Sequence, residues 1–482
     1  MNAAFAGSLR RYGAASASAA VAAAAAAAAA TAAAAAMAGS PNILATAAAA
    51  AEAPSSAPRG PRLLFLGSGS STGCPKPICA LAFDAGGEGG GEGKDGCSCR
   101  NVGRNVGPGG GTGASDPSLA ALRRELGESC RTSVKAAAGD PRTNRDYRGN
   151  PSLVISHCNQ DGDGDGDGDG DGDGDGDGEP PPLRNVVIDV GKTFRENALR
   201  WLPKSGVRTL DAIVLTHEHM DAIGGLDDVR GFQRRRRPGE GGAYTTTAVS
   251  TPVYLSEACM EGLRRQFHYL VPDRQGGGDG GGDGDGDGRK SSRCPDTGTE
   301  VVRAVAALRY HLVRPFRPFF AAGLRMVPLP VKHGEDLICL GFAFTVRGQR
   351  GKGQRNGGDG DGDGDGDGDG DGDGESGPGS GMNVVYLSDI SRMLPETEAF
   401  ILDRLPPTDV LIIDSLLVDR AHPVHFSLRQ AIGLARRLGP KKVYVVGMNC
   451  DDFKPHAEMN EELREVEGLD IQLAHDGLVV EA

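Results

Sequence analysis

Outside its alanine-rich first segment the chain has no run approaching 18 apolar residues, so a membrane-spanning helix is excluded there and a soluble mature chain is expected. Alanine itself is barely apolar enough to hold a helix in lipid. No acidic residue precedes Glu52, while Arg10, Arg11 and many alanines and serines do. That composition predicts a transit peptide over residues 1–58, addressed to a chloroplast or mitochondrion, with an alanine-rich disordered leader on a cytosolic protein as the alternative. No secretory signal accompanies the ten cysteines, so they read as metal ligands or buried thiols rather than a disulfide framework.

Apolar surface is scarce in three aspartate-glycine tracts, at 161–178, 276–288 and 357–374. Such segments bury too little to offset the entropy of ordering, and they read as solvated spacers inserted in loops. They also lack what a calcium loop needs. An EF-hand beginning on an odd-numbered Asp requires Glu at its twelfth position, where strict alternation supplies Gly. With the low-complexity insertions set aside (about 84–128, 161–182, 274–293 and 350–381), residues 59–482 make one large α/β domain. The tracts hold 21 aspartates, so the net charge of −13 becomes +8 for the rest of the chain. A mildly basic domain suits a small anionic substrate.

Two further absences narrow the function. The loop Gly67-Ser68-Gly69-Ser70-Ser71-Thr72-Gly73 after the first strand has no Gly-Lys-Ser/Thr ending, so it is not a nucleotide P-loop. The run Arg234-Arg235-Arg236-Arg237 has no aromatic residues interleaved for base stacking, so it reads as a solvated loop face and nucleic acid is not favoured.

What is present is a set of apolar runs, each ending on a residue with metal or proton chemistry. Strands are expected at 62–66, 153–156, 185–189, 212–215, 252–255, 324–328, 338–346, 383–387, 410–413, 442–446, 471–473 and 478–480. Helices are expected at 192–202, after the His217 loop, at 257–267 and at 427–438. Strand-rich halves that each close with strand and helix alternation predict two sheets sandwiched between helices. The central motif is Thr216-His217-Glu218-His219-Met220-Asp221-Ala222, where a strand gives way to a loop. Imidazole, imidazole and carboxylate at alternate positions can turn inward onto one cation, and that donor set suits zinc, manganese or iron. Asp189, His333, Asp389 and Asp414 also sit at strand ends, and His422 and His425 lie in the loop after Asp414. Asp189 reads equally well as a support for a ligating imidazole or as a cap for the helix at 192–202. His268 and His311 have no motif around them and read as structural.

In this order the motifs resemble the metallo-β-lactamase fold superfamily. Leu66-Gly67-Ser68-Gly69-Ser70, Ile188-Asp189-Val190-Gly191-Lys192-Thr193-Phe194-Arg195, Gly224-Gly225-Leu226-Asp227-Asp228, Val331-Lys332-His333-Gly334-Glu335-Asp336 and Ala474-His475-Asp476-Gly477 are similar to its plant and fungal branch, which is similar in turn to the PhnP-type cyclic phosphodiesterase. The resemblance implies a four-layered αββα sandwich of α/β class. It also implies one or two Zn2+ or Mn2+ ions at the strand edges. His217, His219 and His333 would hold the first ion, Asp389 would bridge, Asp221 would serve a second site, and His425 would meet the substrate as an acid. Asp189, Asp414 and His422 would support these groups from behind.

Two residues depart from the pattern. Ala222 stands where the family has histidine, and Cys450 stands where another histidine is expected after Met448-Asn449. Cys450 is therefore read either as a thiolate ligand of the second site, favouring zinc, or as an inert buried thiol. Cys97, Cys99 and Cys130 are candidates for a structural zinc of the kind the branch carries, in a disturbed spacing with Ser133 where a further Cys might stand.

The expected function is a metal-dependent hydrolase, of the phosphodiesterase type, using a metal-activated hydroxide, with Asp221 and His425 as its proton-handling residues. Thioester or ester hydrolysis is the alternative on the same fold, and a catalytically degenerate metal-binding scaffold is the alternative of a different class, suggested by Ala222 and Cys450. Ribonuclease Z activity is disfavoured for want of an arm to clamp transfer RNA.

Overall fold

The structure is a computed structural model that describes residues 60–77, 79, 131–158, 183–236, 247–271, 291–293, 300–302, 305–347 and 381–482. The expected leader, most of the insertions, and Cys97, Cys99 and Cys130 lie outside the described residues. Ser291–Arg293 forms a short strand and another strand begins at Gly381.

Strand β1 (Arg62–Gly67) is followed by helix α1 (Arg131–Ala137), β2 (Ser152–Cys158), β3 (Leu183–Ile188), α2 (Phe194–Trp201) and β4 (Ala212–Val214). The one-turn helix α3 (Met220–Ile223) and a 3-10 segment (Leu226–Phe232) lead to β5 (Arg235–Arg236), β6 (Thr247–Ala248), β7 (Thr251–Leu255) and α4 (Glu257–Gln266). The second half runs β8 (Ser291–Arg293), β9 (Glu300–Val302), β10 (Leu308–Leu312), β11 (Phe319–Ala321), β12 (Leu324–His333), β13 (Leu337–Arg347) and β14 (Gly381–Leu387). It closes with α5 (Pro395–Arg404), β15 (Val410–Asp414), α6 (Leu428–Leu438), β16 (Lys442–Val446), α7 (His456–Leu463), β17 (Ile471–Leu473) and β18 (Val479–Glu481). The helix expected after the His217 loop is only α3 and the 3-10 segment, because Gly224-Gly225 interrupts it after one turn.

Two seven-stranded sheets result, in the orders β10-β7-β4-β3-β2-β1-β18 and β11-β12-β13-β14-β15-β16-β17; β5 with β6 and β8 with β9 form separate two-stranded ribbons. Alternation assigns the layers. Phe65, Ile188, Tyr386 and Ile412 point between the sheets with Phe342 and Tyr444. Their neighbours Leu64 and Val187 face Phe194, Trp201 and Leu263 on α2 and α4, whereas Leu387 and Ile413 face Ile401, Leu434 and Leu438 on α5 and α6. Strands covered on both faces read as unbroken apolar runs, and that is how the buried parts of β3, β4, β14 and β15 are written: 186–188, 212–214, 384–387 and 410–413. The four layers predicted from the sequence are present.

Sheet direction places the chemistry. β14, β15 and β16 are parallel, and β12 and β14 are both antiparallel to β13, so the C-terminal ends of β12, β14 and β15 share one edge. Parallel β3 and β4 bring their own C-terminal ends together in the facing sheet. β12 holds Pro328, where its expected range ends, and runs on through Pro330 to His333. Both prolines face away from β13, with the Pro328 carbonyl accepting from Phe316 N–H at 2.9 Å and the Pro330 carbonyl from Thr397 Oγ1 at 2.6 Å. Proline's missing donor therefore costs no bond to β13. The β2–β3 and β13–β14 connections leave from the opposite edge, after Cys158 and Arg347.

Candidate metal centre

The loop after β4 carries His217 and His219, and the last residue of β12 is His333. One donor atom from each lies within 4.8 Å of the others. The three rings stand edge to face, with centroids 4.6, 5.2 and 5.1 Å apart. His333 Nδ1–H donates to the Val424 carbonyl at 2.7 Å, which leaves Nε2 without a proton, and that nitrogen lies 3.3 Å from His219 Nδ1. His217 is buried, and its Nε2 has no hydrogen-bond partner. A buried nitrogen is rarely left orphaned. Converging imidazole nitrogens, one of them unpartnered, fit a divalent cation, and the donor set suits such an ion chemically. Burial lowers His217 to a pKa of about 3, which keeps its imidazole neutral, and burial pushes His333 down as well.

A second group joins His333 to Asp389 and His425, again within 4.8 Å. Burial pushes the Asp389 carboxyl up, but the imidazoles of His217, His425 and His333 outweigh it and hold Asp389 below the usual carboxylate range. Ser388 Oγ donates to Asp389 Oδ2 at 2.8 Å. Asp389 and Asp189 both adopt left-handed backbone, with φ of 54° and 60°. Each strained Asp costs about 1 kcal/mol and turns its carboxylate back towards the cluster edge. Asp221 is also buried, and burial together with the charge of Asp389 raises it to about 6.

His425 donates from Nδ1 to Asp414 Oδ2 at 2.8 Å and stands 3.9 Å from Asp389 Oδ1. Burial works against its charge, but Asp414, Asp389 and Asp221 prevail and raise it to about 9. His422 stacks beside it, with centroids 5.5 Å apart. Asp189 caps no helix. It accepts from Thr216 N–H at 2.9 Å and from Thr216 Oγ1 at 2.8 Å, and the cap position of α2, Thr193, makes no side-chain cap bond.

The structure therefore gathers His217, His219, Asp221, His333, Asp389, His425, Asp414 and His422 at one edge, with Asp189 behind Thr216. It does not bring Cys450 to them. That thiol lies with Cys79 and the Asp451 carboxylate, within 4.8 Å, and the cluster includes Cys74. A hydrogen bond from Cys74 lowers the Cys450 thiol to about 7 against the effect of burial. Lys76 pairs with Asp451 at 2.6 Å. Arg148, buried beside this cluster, has no partner on any guanidinium nitrogen. Ala222 is packed into the apolar layer under α2 rather than towards the cation site. Sequence reasoning missed Cys74 and Cys79, although their Cys-x4-Cys spacing was a signal, and it missed Thr216, Ser388 and the Val424 carbonyl.

Residues 184–352 match the family model of the beta-lactamase superfamily domain. The chain has the metallo-β-lactamase fold. It is 24% identical over 296 residues to an octanoyltransferase of Porphyromonas gingivalis (strain ATCC BAA-308 / W83), an alignment covering 61% of this chain and 42% of that protein, less than half its length. Among solved structures, a diphosphatase of the PhnP family is 23% identical, covering 88% of this chain and 98% of its own, with a TM-score of 0.46. A metallo-β-lactamase fold protein of Bacillus subtilis is 15% identical, over 69% and 92% of the chains at a TM-score of 0.39. A long-form RNase Z from yeast is 11% identical, over 89% and 42% of the chains at 0.39. Proteins of the metallo-β-lactamase fold are typically metal-dependent hydrolases. Among the described residues no helix is long and apolar enough to cross a membrane.

Proposed function

We propose that this protein is a metal-dependent hydrolase of small anionic phosphodiesters. The observation that carries the reading is the convergence of His217, His219 and His333, with an unpartnered His217 Nε2, next to Asp389 and His425. The three imidazoles would hold a zinc or manganese ion, and Asp389 and Asp221 would complete the edge on which a second ion could rest. Such an ion, when bound, polarises a phosphoryl oxygen and lowers the pKa of water to about 7.

The chain's own groups handle the protons. Asp221, raised to about 6, is poised near neutrality to take a proton from an attacking water. His425, raised to about 9, holds a proton at neutral pH; its Nδ1–H is committed to Asp414, so Nε2–H is free to protonate a leaving oxygen. The Asp414 bond fixes the ring plane in which that transfer is made. The mildly basic domain outside the aspartate-glycine tracts favours an anionic substrate.

Acyl transfer to water is the second reading, because the same groups would serve a thioester carbonyl and one relative is named for octanoyl transfer. The full chain, purified without chelator, should contain zinc or manganese and hydrolyse bis(p-nitrophenyl) phosphate in preference to an acyl thioester, with His217→Ala losing both metal and rate. Preference for the thioester would replace the substrate class. A wild-type chain that takes up no divalent metal would overturn the hydrolase reading.

A further inference from the structure

We propose that the sheet containing β11 to β17 carries, on its outer face, a binding site for a small amphipathic anion. The site is remote from the imidazole cluster and independent of the hydrolase reading.

It is a cavity of about 230 Å³ beside the C-terminal end of α5. Its floor is one register row across three strands, Val327 on β12, Ala343 on β13 and Val385 on β14. The chain leaving α5 forms a wall through Leu405, Pro406 and Thr408. Asn383 fixes that wall, donating from its backbone N–H to Asp409 Oδ2 at 2.7 Å and from Nδ2 to the Pro407 carbonyl at 3.1 Å. Thr345 Oγ1 donates to Asn383 Oδ1 at 2.9 Å and holds the amide in that orientation. The cavity is therefore built before a ligand arrives, and no wall has to be ordered to close on one.

Charge and size name the occupant. Arg325 and Arg347 both border the cavity, and no Asp or Glu is among the described residues that line it. Arg325 is exposed, and its guanidinium has no ion-pair partner among the described residues. Its cross-strand partner on β11 is Phe320, which is 47% exposed, so a large ring stands outside the core beside an unpaired cation. A guanidinium recognises carboxylate or phosphoryl oxygens through paired N–H donors. The aliphatic floor and the Phe320 ring suit an apolar body. An apolar cavity of about 150 Å³ holds benzene, so this one suits an anion of roughly ten non-hydrogen atoms. β12 carries Arg325 at the cavity and His333 at the imidazole cluster. Along the strand that separation is about 26 Å, too far for one small ligand to touch both.

The test uses the full chain with 13C-labelled methyl groups and two probes of that size, octanoate and phenylphosphonate. At least one should bind with a Kd below about 1 mM and move the methyl resonances of Val327, Val385 and Leu405. Arg325→Ala should weaken that binding roughly 10-fold, and Ala343→Leu, which fills the floor, should abolish the shifts. A preference for octanoate assigns a carboxylate head, and a preference for phenylphosphonate assigns a phosphoryl head. Absence of the methyl shifts with both probes overturns the proposal, and so do shifts undiminished in Arg325→Ala. Arg325 is a surface side chain, so this result stands even if the leucine variant does not fold. Binding that vanishes in His217→Ala and persists in Arg325→Ala puts the anion on the metal centre and also overturns it. Because the shifts are read without turnover, a failure here is distinguishable from a failure of the hydrolase reading.

Discussion

His425 and Asp414 meet at 2.8 Å, Nδ1 to Oδ2, with Asp414 buried, His425 partly buried and the imidazole raised to about 9. A carboxylate that fixes an imidazole on one nitrogen commits the other to the open side. His425→Ala should lower kcat by roughly 10²- to 10⁴-fold, the usual worth of one proton-transfer group, with little change in KM. Asp414→Asn should lower it less, because the ring keeps its place but loses the charge that holds its proton. Steady-state kinetics on both variants decide this; a loss confined to KM would make His425 a binding group instead.

Gly447 stands over the same pair. Its φ is +79°, and an added Cβ would come 1.9 Å from Asp414 Oδ1. Gly447→Ala should cost about 1–2 kcal/mol from the backbone alone, and more as Asp414 is pushed aside. The expected outcome is a lower urea midpoint together with a fall in rate resembling that of Asp414→Asn. A variant as stable as wild type would show that Asp414 can move without cost.

Cys450 and His333 should separate cleanly. Because the Cys450 thiol lies with Cys79 and Asp451 rather than with the imidazoles, Cys450→Ala should keep a hydrolytic rate near that of wild type. His333→Ala should abolish it, together with the metal bound at the histidine cluster. Metal content and rate measured side by side check both halves, and loss of rate in Cys450→Ala would restore the thiol to the catalytic edge.

Asp476 contributes to the pH dependence alongside Asp221. It accepts from Ser68 N–H and Oγ at 2.9 Å each, from Gly149 N–H at 2.7 Å and from Asn197 Nδ2 at 3.2 Å, yet burial raises it to about 7. A carboxyl raised in the folded state contributes stability that is complete below its unfolded pKa, near 4, and is lost as pH rises to about 7. Urea midpoints of the wild type should therefore fall between pH 4 and pH 7. Asp476→Asn should flatten that slope, at a lower stability throughout because its amide meets donors. An equal slope in both proteins would assign the pH dependence elsewhere.

Much of this was written in the chain. β3, β4, β14 and β15 announce themselves as apolar runs, and each of His217, His333, Asp389 and Asp414 follows or ends one. The spacing of His217, His219 and Asp221 carried the site without any fold. What could not be read is sideways contact. Nothing in the residues near Cys450 says that the loop after β16 meets the loop after β1, where Gly69 bridges to Met448. Thr216 hides in plain view for the same reason, since a threonine before a histidine is unremarkable until Asp189 is seen to turn back onto it. The strand expected at 324–328 stops short of Pro330, and only the bonds that Phe316 and Thr397 make on the side away from β13 explain why the strand continues through that second proline.

The two edges of the sandwich live under different rules. Every proposed ligand lies on the edge where β12, β14 and β15 finish, whereas the β2–β3 and β13–β14 connections depart from the other, after Cys158 and Arg347. Two of the three aspartate-glycine tracts fall in those connections. Changes in the number of repeats there would leave the spacing of the reacting groups untouched. The same arrangement marks Cys158–Leu183 and Arg347–Gly381 as splice points where a reporter domain could be inserted without re-engineering the chemistry.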